Sequence, residues 1–210
     1  MTIINSLEWR YATKKFDPSK ILSNQQIETL KNAFNLTPTS FGLQPLKMIV
    51  ICNKELQEKF VEHSYFQRQV ADASHLLVLC IENDTTSKDI NTYFDKEKEA
   101  RGVEENVISD FRKQLLDMYK NMSIEEKQQS AIYQTYIALG NLMTVCAIEK
   151  IDSCPMEGFV PSKVDELLNL SAQNLKSVLM LPVGFRAEDD VMNGMKKVRK
   201  QLNQTVIEIS

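Results

Sequence analysis

The sequence predicts an α+β fold of layered α/β type, one domain over residues 1–210, and three observations carry that expectation. Short apolar runs with β-branched residues lie at 47–52, 76–81 and 178–184. Each is too short for a helix and too uniformly apolar for a half-exposed strand, so each reads as a buried central strand. Longer stretches between and around them carry helical spacing and helix start signals. No repeat or low-complexity linker divides the chain, and intermixed strands with helix in excess imply a sheet covered by helices.

In chain order, a short N-terminal helix should precede the Arg10–Phe16 stretch. Ser23-Asn24-Gln25-Gln26 has capping-box spacing, and Ile27, Leu30, Ala33 and Phe34 follow on one face, which predicts a helix to about Leu36. Thr37-Pro38 ends it. A loop through Pro45 leads to the first strand, and Leu76–Ile81 forms the second. The charged stretch from about Ile90 to Asn121 reads as mostly helix. Ser123-Ile124-Glu125-Glu126 is another capping box and opens a segment that runs to Lys150. Its Tyr133, Tyr136, Ile137, Leu139, Leu142, Met143, Val145, Cys146 and Ile148 leave little room for a solvated face. That segment is a central buried helix or part of a subunit interface. A short helix from Ser162 to Leu168, entered at Pro161, precedes the third strand.

A composition of 43% hydrophobic and 25% charged residues, with a net charge of −3, is globular and long enough for one sizeable core. Interspersed charges give no field to gather nucleic acid or an anionic membrane surface, so neither is expected as a partner. The N-terminus lacks a signal-peptide pattern and no apolar run approaches a membrane span, which favours a soluble cytoplasmic protein. Cys52, Cys80, Cys146 and Cys154 show no metal-type pairing and read as buried thiols. With His63 and His75 as the only histidines, no metal site and no histidine triad is expected. No G-x-G-x-x-G follows a strand, which argues against a Rossmann dehydrogenase.

Two cationic clusters stand at opposite ends of the chain: Arg10, Lys14 and Lys15, and Lys196, Lys197, Arg199 and Lys200. Each alone reads as a solvated run or a helix end; together they could converge on one phosphate. Around them the chain resembles the nitroreductase and flavin reductase family nearly end to end. The resemblance rests on Arg10-Tyr11-Ala12-Thr13-Lys14-Lys15-Phe16, Pro38-Thr39-Ser40-Phe41-Gly42-Leu43-Gln44-Pro45, Asp72-Ala73-Ser74-His75, Gly140-Asn141, Cys154-Pro155-Met156-Glu157-Gly158-Phe159, Pro182-Val183-Gly184 and Lys197-Val198-Arg199. Each motif is weak alone, but their shared order and spacing are specific.

The resemblance implies a central mixed sheet flanked by helices and an intertwined homodimer with one FMN in each of two shared clefts. It implies an NAD(P)H oxidoreductase working by ping-pong, in which hydride passes through flavin N5 to nitroaromatic, quinone or related acceptors. A dedicated reductase of one metabolite and a non-catalytic FMN-binding protein are its alternatives. By position, Arg10, Lys197 and Arg199 would hold the FMN phosphate, with Tyr11 and Ala12 beside them. Lys14 would stand at the N1/O2 edge, where reduction concentrates negative charge. Pro38, Thr39 and Ser40 would reach the flavin from the partner. Pro155, Met156, Glu157 and Gly158 would lie against the isoalloxazine, with the N–H of Glu157 or Gly158 toward N5. That segment is equally a tight turn whose glycine supplies φ > 0. Gln67 or Gln69 would serve the pyrimidine edge. Phe41 would narrow the acceptor opening, and Arg101 would lie on the substrate side unless it is only a solvated helix charge. Ala12 departs from the serine common there, and Phe66 from the asparagine.

Overall fold

The computed structural model describes residues 2–209. Four strands form one sheet in the order β1-β2-β4-β3: β1 (Leu46–Ile51), β2 (His75–Glu82), β3 (Asp152–Ser153) and β4 (Leu175–Gly184). The three runs read as strands are the three long ones. All three ladders are antiparallel, and the mixed character expected of the sheet is confined to an isolated parallel bridge between Ala12 and Ser153.

Alternation along β2 sends its side chains to two cores. Leu76, Val78 and Cys80 join Phe16, Phe60, Val70, Met156, Phe159, Val164 and Met180 on one face. Leu77 and Leu79 join Leu30, Leu139, Leu142, Cys146 and Leu181 on the other. Helices α3 (Lys54–His63), α4 (Gln69–Asp72) and α8 (Pro161–Leu167) serve the first face; α2 (Asn24–Asn35) and α7 (Ile124–Ile148) cover the second. Both capping boxes form as read: the Ser23 and Ser123 hydroxyls accept from the amides of Gln26 and Glu126, whose side chains reach back. Asn141 on α7 donates to Ala33 O (2.8 Å) and Thr37 Oγ1 (3.0 Å), which fixes the end of α2.

The charged stretch read as mostly helix holds two helices, α5 (Ser87–Arg101) and α6 (Glu105–Asn121), parted where Gly102 takes a left-handed φ of 62°. The hairpin has its own small core of Ile90, Phe94, Ile108, Leu115 and Tyr119. α7 departs from expectation: at 25 residues it is long and apolar enough, by length and composition, to cross a membrane. Its composition follows from two apolar faces. One carries the buried Ala138, Leu139 and Leu142 against the sheet, and the other shows Tyr133, Tyr136 and Ile137 outward.

Candidate functional site

Helix α1 (Ile3–Trp9) ends where Arg10 turns extended, its amide still bonded to Ser6 O at 3.1 Å. The chain then runs alongside β3, with Thr13 N donating to Ser153 O at 3.2 Å. The C-terminal segment returns to this place. Lys197 Nζ donates to the Arg10 carbonyl, and Arg10, Tyr11, Ala12, Arg186 and Arg199 share a cavity of about 690 Å³ with it. The two cationic clusters therefore meet. Burial first, and then Arg199, pushes the Arg10 pKa below its ordinary value. Lys197 is lowered by burial and then by Arg10 and Arg199. These cations repel one another, and among the described residues Glu8 is the one acidic residue lining the cavity. Among the described residues, Arg10 Nε finds no hydrogen-bond partner. Such an arrangement calls for an anion.

A buried carboxylate organises the cations. Asp190 accepts the amides of Lys14 (2.8 Å) and Lys15 (3.0 Å) on one oxygen and that of Met192 (2.8 Å) on the other, tying the N-terminal strip to the start of the C-terminal segment. The Tyr11 hydroxyl faces it, and burial foremost raises that phenol to about 12. Arg186 donates to the buried Asp152 (Nε to Oδ1, 2.6 Å) and lies 4.3 Å from the Trp9 ring and 4.4 Å from the Tyr11 ring. Lys150 covers Trp9 at 4.3 Å. None of Asp190, Asp152, Arg186 or Lys150 is marked by a local motif. Most of their partners are remote in sequence, 176 positions for Asp190 and Lys14.

From Ser153 the chain continues into Cys154 and the Pro155–Gly158 loop along the free flank of β4. Met156 and Met180 exchange amide bonds of 2.8 and 3.0 Å. Lys14 and Arg10 both act electrostatically on the Cys154 thiol, whose pKa burial raises, so the cations and the loop are neighbours. Gly158 has no positive φ, which corrects the turn-glycine reading. Its need is space: a Cβ there would stand 2.9 Å from Gln67 Nε2, which donates to Gly158 O at 3.1 Å. Gln67 is thus brought to the loop. Gln69 is buried in the first turn of α4, and no hydrogen bond joins its side chain to the loop.

Pro38, Thr39, Ser40 and Phe41 are not brought to this place. Their loop enters β1, which lies three strand spacings, about 14 Å across the sheet, from the Met156 position. Ser40 N donates to Gln134 Oε1 (2.9 Å) and the Tyr136 hydroxyl to Glu157 Oε1 (2.8 Å). Residues two apart on a helix face opposite ways, so α7 stands between loop and site. Phe41, at φ 58°, lies 6.2 Å from the Phe111 ring of α6. Arg101 ends α5 as an exposed ion pair with Glu97.

Fold and site define a class: an α+β protein with a cation-lined cavity between its N-terminal strip and its C-terminal segment, continuous with a loop on the flank of its sheet. The chain belongs to the Nitroreductase family, whose sequence profile matches residues 7–185. It is 36% identical over 201 residues to a Staphylococcus epidermidis protein provisionally named an NAD(P)H nitroreductase, covering 90% of this chain and 89% of that one. A nitroreductase-like protein from Streptococcus mutans has the same fold, with a TM-score of 0.85 at 23% identity over 99% of this chain and 98% of that one. A nitroreductase-type protein from Exiguobacterium sibiricum, solved in complex with FMN, superposes with a TM-score of 0.84 at 19% identity over 100% and 98%.

Proposed function

We propose that the chain is an FMN-dependent NAD(P)H oxidoreductase that passes reducing equivalents by ping-pong to nitroaromatic, quinone or related acceptors. The observation that carries this reading is the convergence of Arg10, Lys197 and Arg199 on one cavity with an unpartnered Arg10 Nε. The residues present fit the cofactor. Ala12 pairs with Ser153, and the five residue steps from Ser153 to Gly158 span at most about 17 Å, room for a ribityl phosphate followed by a ring system. When bound, the flavin supplies the redox chemistry, accepting hydride at N5 and passing it on.

The chain's own residues bind and polarise. Arg10, Lys197 and Arg199 grip the phosphate, with Tyr11 and Ala12 as walls. Lys14, held through its amide by Asp190, presents an ammonium to the N1/O2 edge and favours charge there. Pro155 and Met156 floor the ring. The amides of Glu157 and Gly158 would face N5, and as backbone donors they keep their protons at any working pH. Gln67 and Gln69 border the pyrimidine side. A second copy of the chain completes the site with Pro38, Thr39 and Ser40, because a single copy holds them at the β1 side of its sheet. The exposed Tyr133, Tyr136 and Ile137 of α7 are apolar surface suited to that homodimer. Phe41, backed by Phe111, narrows the acceptor opening, and Arg101 lies toward the acceptor side.

Purified protein should absorb as a flavoprotein between about 300 and 550 nm and bleach when NADPH or NADH is added without oxygen. A colourless protein that takes up no FMN on soaking overturns the reading.

A further inference from the structure

The Pro155–Phe159 loop leaves two consecutive amides unused. Met156 spends its N–H and C=O on Met180; Glu157 O accepts from Phe159 N (2.9 Å); Gly158 O accepts from Gln67 Nε2; Val160 N donates to His63 O (2.8 Å). Among the described residues, the N–H groups of Glu157 and Gly158 have no protein acceptor. Two side chains from outside grip the loop at these same two residues: Tyr136 of α7 takes the Glu157 carboxylate, and Gln67 takes the Gly158 carbonyl. Gln67 reaches its place through two consecutive aromatic residues in left-handed backbone, Tyr65 at φ 51° and Phe66 at φ 59°, both exposed. Bulky residues adopt that conformation at a cost, and here it delivers Gln67 to a glycine that alone leaves room for it.

We propose that Tyr136 and Gln67 are positioning residues: a two-sided clamp that orients the Glu157 and Gly158 amides toward the site and so sets the alignment of the hydride-accepting atom. The proposal rests on the flavin reading above, and it assigns Gln67 a different task from the pyrimidine edge. The clamp acts through hydrogen bonds 21 and 91 positions long in sequence, from elements that themselves bear no charge toward the cofactor.

The test has two arms. In protein freed of flavin, amide hydrogen exchange at Phe159, bonded to Glu157 O, and at Val160, bonded to His63 O, is expected to quicken about tenfold in Tyr136→Phe and in Gln67→Met, the effect of losing one hydrogen bond of about 1.4 kcal/mol. Tyr133→Phe, on the same outward face of the helix as Tyr136 but without a hydrogen bond to the loop, should leave it unchanged. In protein loaded with FMN, Tyr136→Phe should keep cofactor affinity within about threefold, because the phosphate grip is untouched, and should raise the flavin midpoint potential. A donor aimed at N5 favours the oxidised flavin, whose N5 accepts, over the reduced form, whose N5 carries hydrogen. Exchange unchanged in both variants overturns the clamp. Exchange that quickens with the potential unmoved overturns its alignment role. Failure of the wild-type protein to bind FMN overturns the flavin reading instead, and the exchange arm still decides whether the clamp exists.

Discussion

The two ends of the site are built in opposite ways. At the cation pole, Lys197 and Arg199 sit on an irregular, exposed C-terminal segment, tied down by Asp190 and by the Lys197 bond to the Arg10 carbonyl. At the other end, the Pro155–Gly158 loop is joined to β4 on one side, to α7 on another and to the 64–69 turn on a third. The first end works by charge, which tolerates displacement because Coulomb attraction falls off slowly with distance. The second works by direction, which tolerates little because hydrogen bonds weaken steeply with angle. Grip can therefore reside in a loosely packed segment, whereas alignment needs a rigid one.

Removing the grip should have the largest effect. The double variant Lys197→Ala with Arg199→Ala deletes two charged contacts and should weaken FMN binding about a hundredfold or more, with the residual affinity far less sensitive to salt. A flavin titration at two ionic strengths reads this directly. An affinity within threefold of wild type would break the contrast, since the phosphate would then be held elsewhere.

Altering the rigid end should leave affinity nearly intact and reduce rate. In Gly158→Ala the new methyl displaces Gln67 Nε2 from 2.9 Å, and reduction by the nicotinamide should slow about tenfold while FMN stays bound. Stopped-flow reduction separates the two quantities, and a variant that loses flavin but reduces normally once saturated would reverse the roles assigned to the two ends.

The smallest effect sharpens the contrast from below. Beneath Arg10 lies Cys146, fully buried, its thiol pushed by burial from 9.0 to about 12; Cys80 under the opposite face is raised to a similar value. Both pKa values are raised in the fold, so the folded protein holds protons that the unfolded chain releases. The stability they contribute is fully present below pH 9 and is lost as pH climbs toward about 12. Thermal midpoints should fall by roughly 5–10 °C per pH unit above pH 9, and Cys146→Ala should about halve that slope. An unchanged slope would remove Cys146 as a source of the loss.

Sequence patterns exposed the parts of this molecule that obey local rules. Leu76–Ile81 is buried on both faces and so is apolar throughout, and Ser23 and Ser123 cap their helices with partners three residues away. α3 was not legible because Gln57, a polar residue, fills a core position, donating to Val70 O and Ala73 O. β3 was not legible because its two residues are Asp152 and Ser153, polar yet buried, the aspartate neutralised by Arg186. The site divides likewise. Its short motifs stood out in order along the chain, but Asp190, Arg186 and Tyr136 act through contacts that only the fold creates.

The placement of the Pro38–Phe41 loop on the far side of α7 from Glu157 also governs inheritance. In the two-chain site proposed above, each polypeptide lends its loop to its neighbour's flavin and borrows one in return. A lesion in Lys14 and a lesion in Ser40, carried on separate chains, would fall together on one of the two clefts of a mixed pair and leave the other whole. Two individually dead alleles could then sustain one another, and neither gene's defect would be recessive in any simple sense.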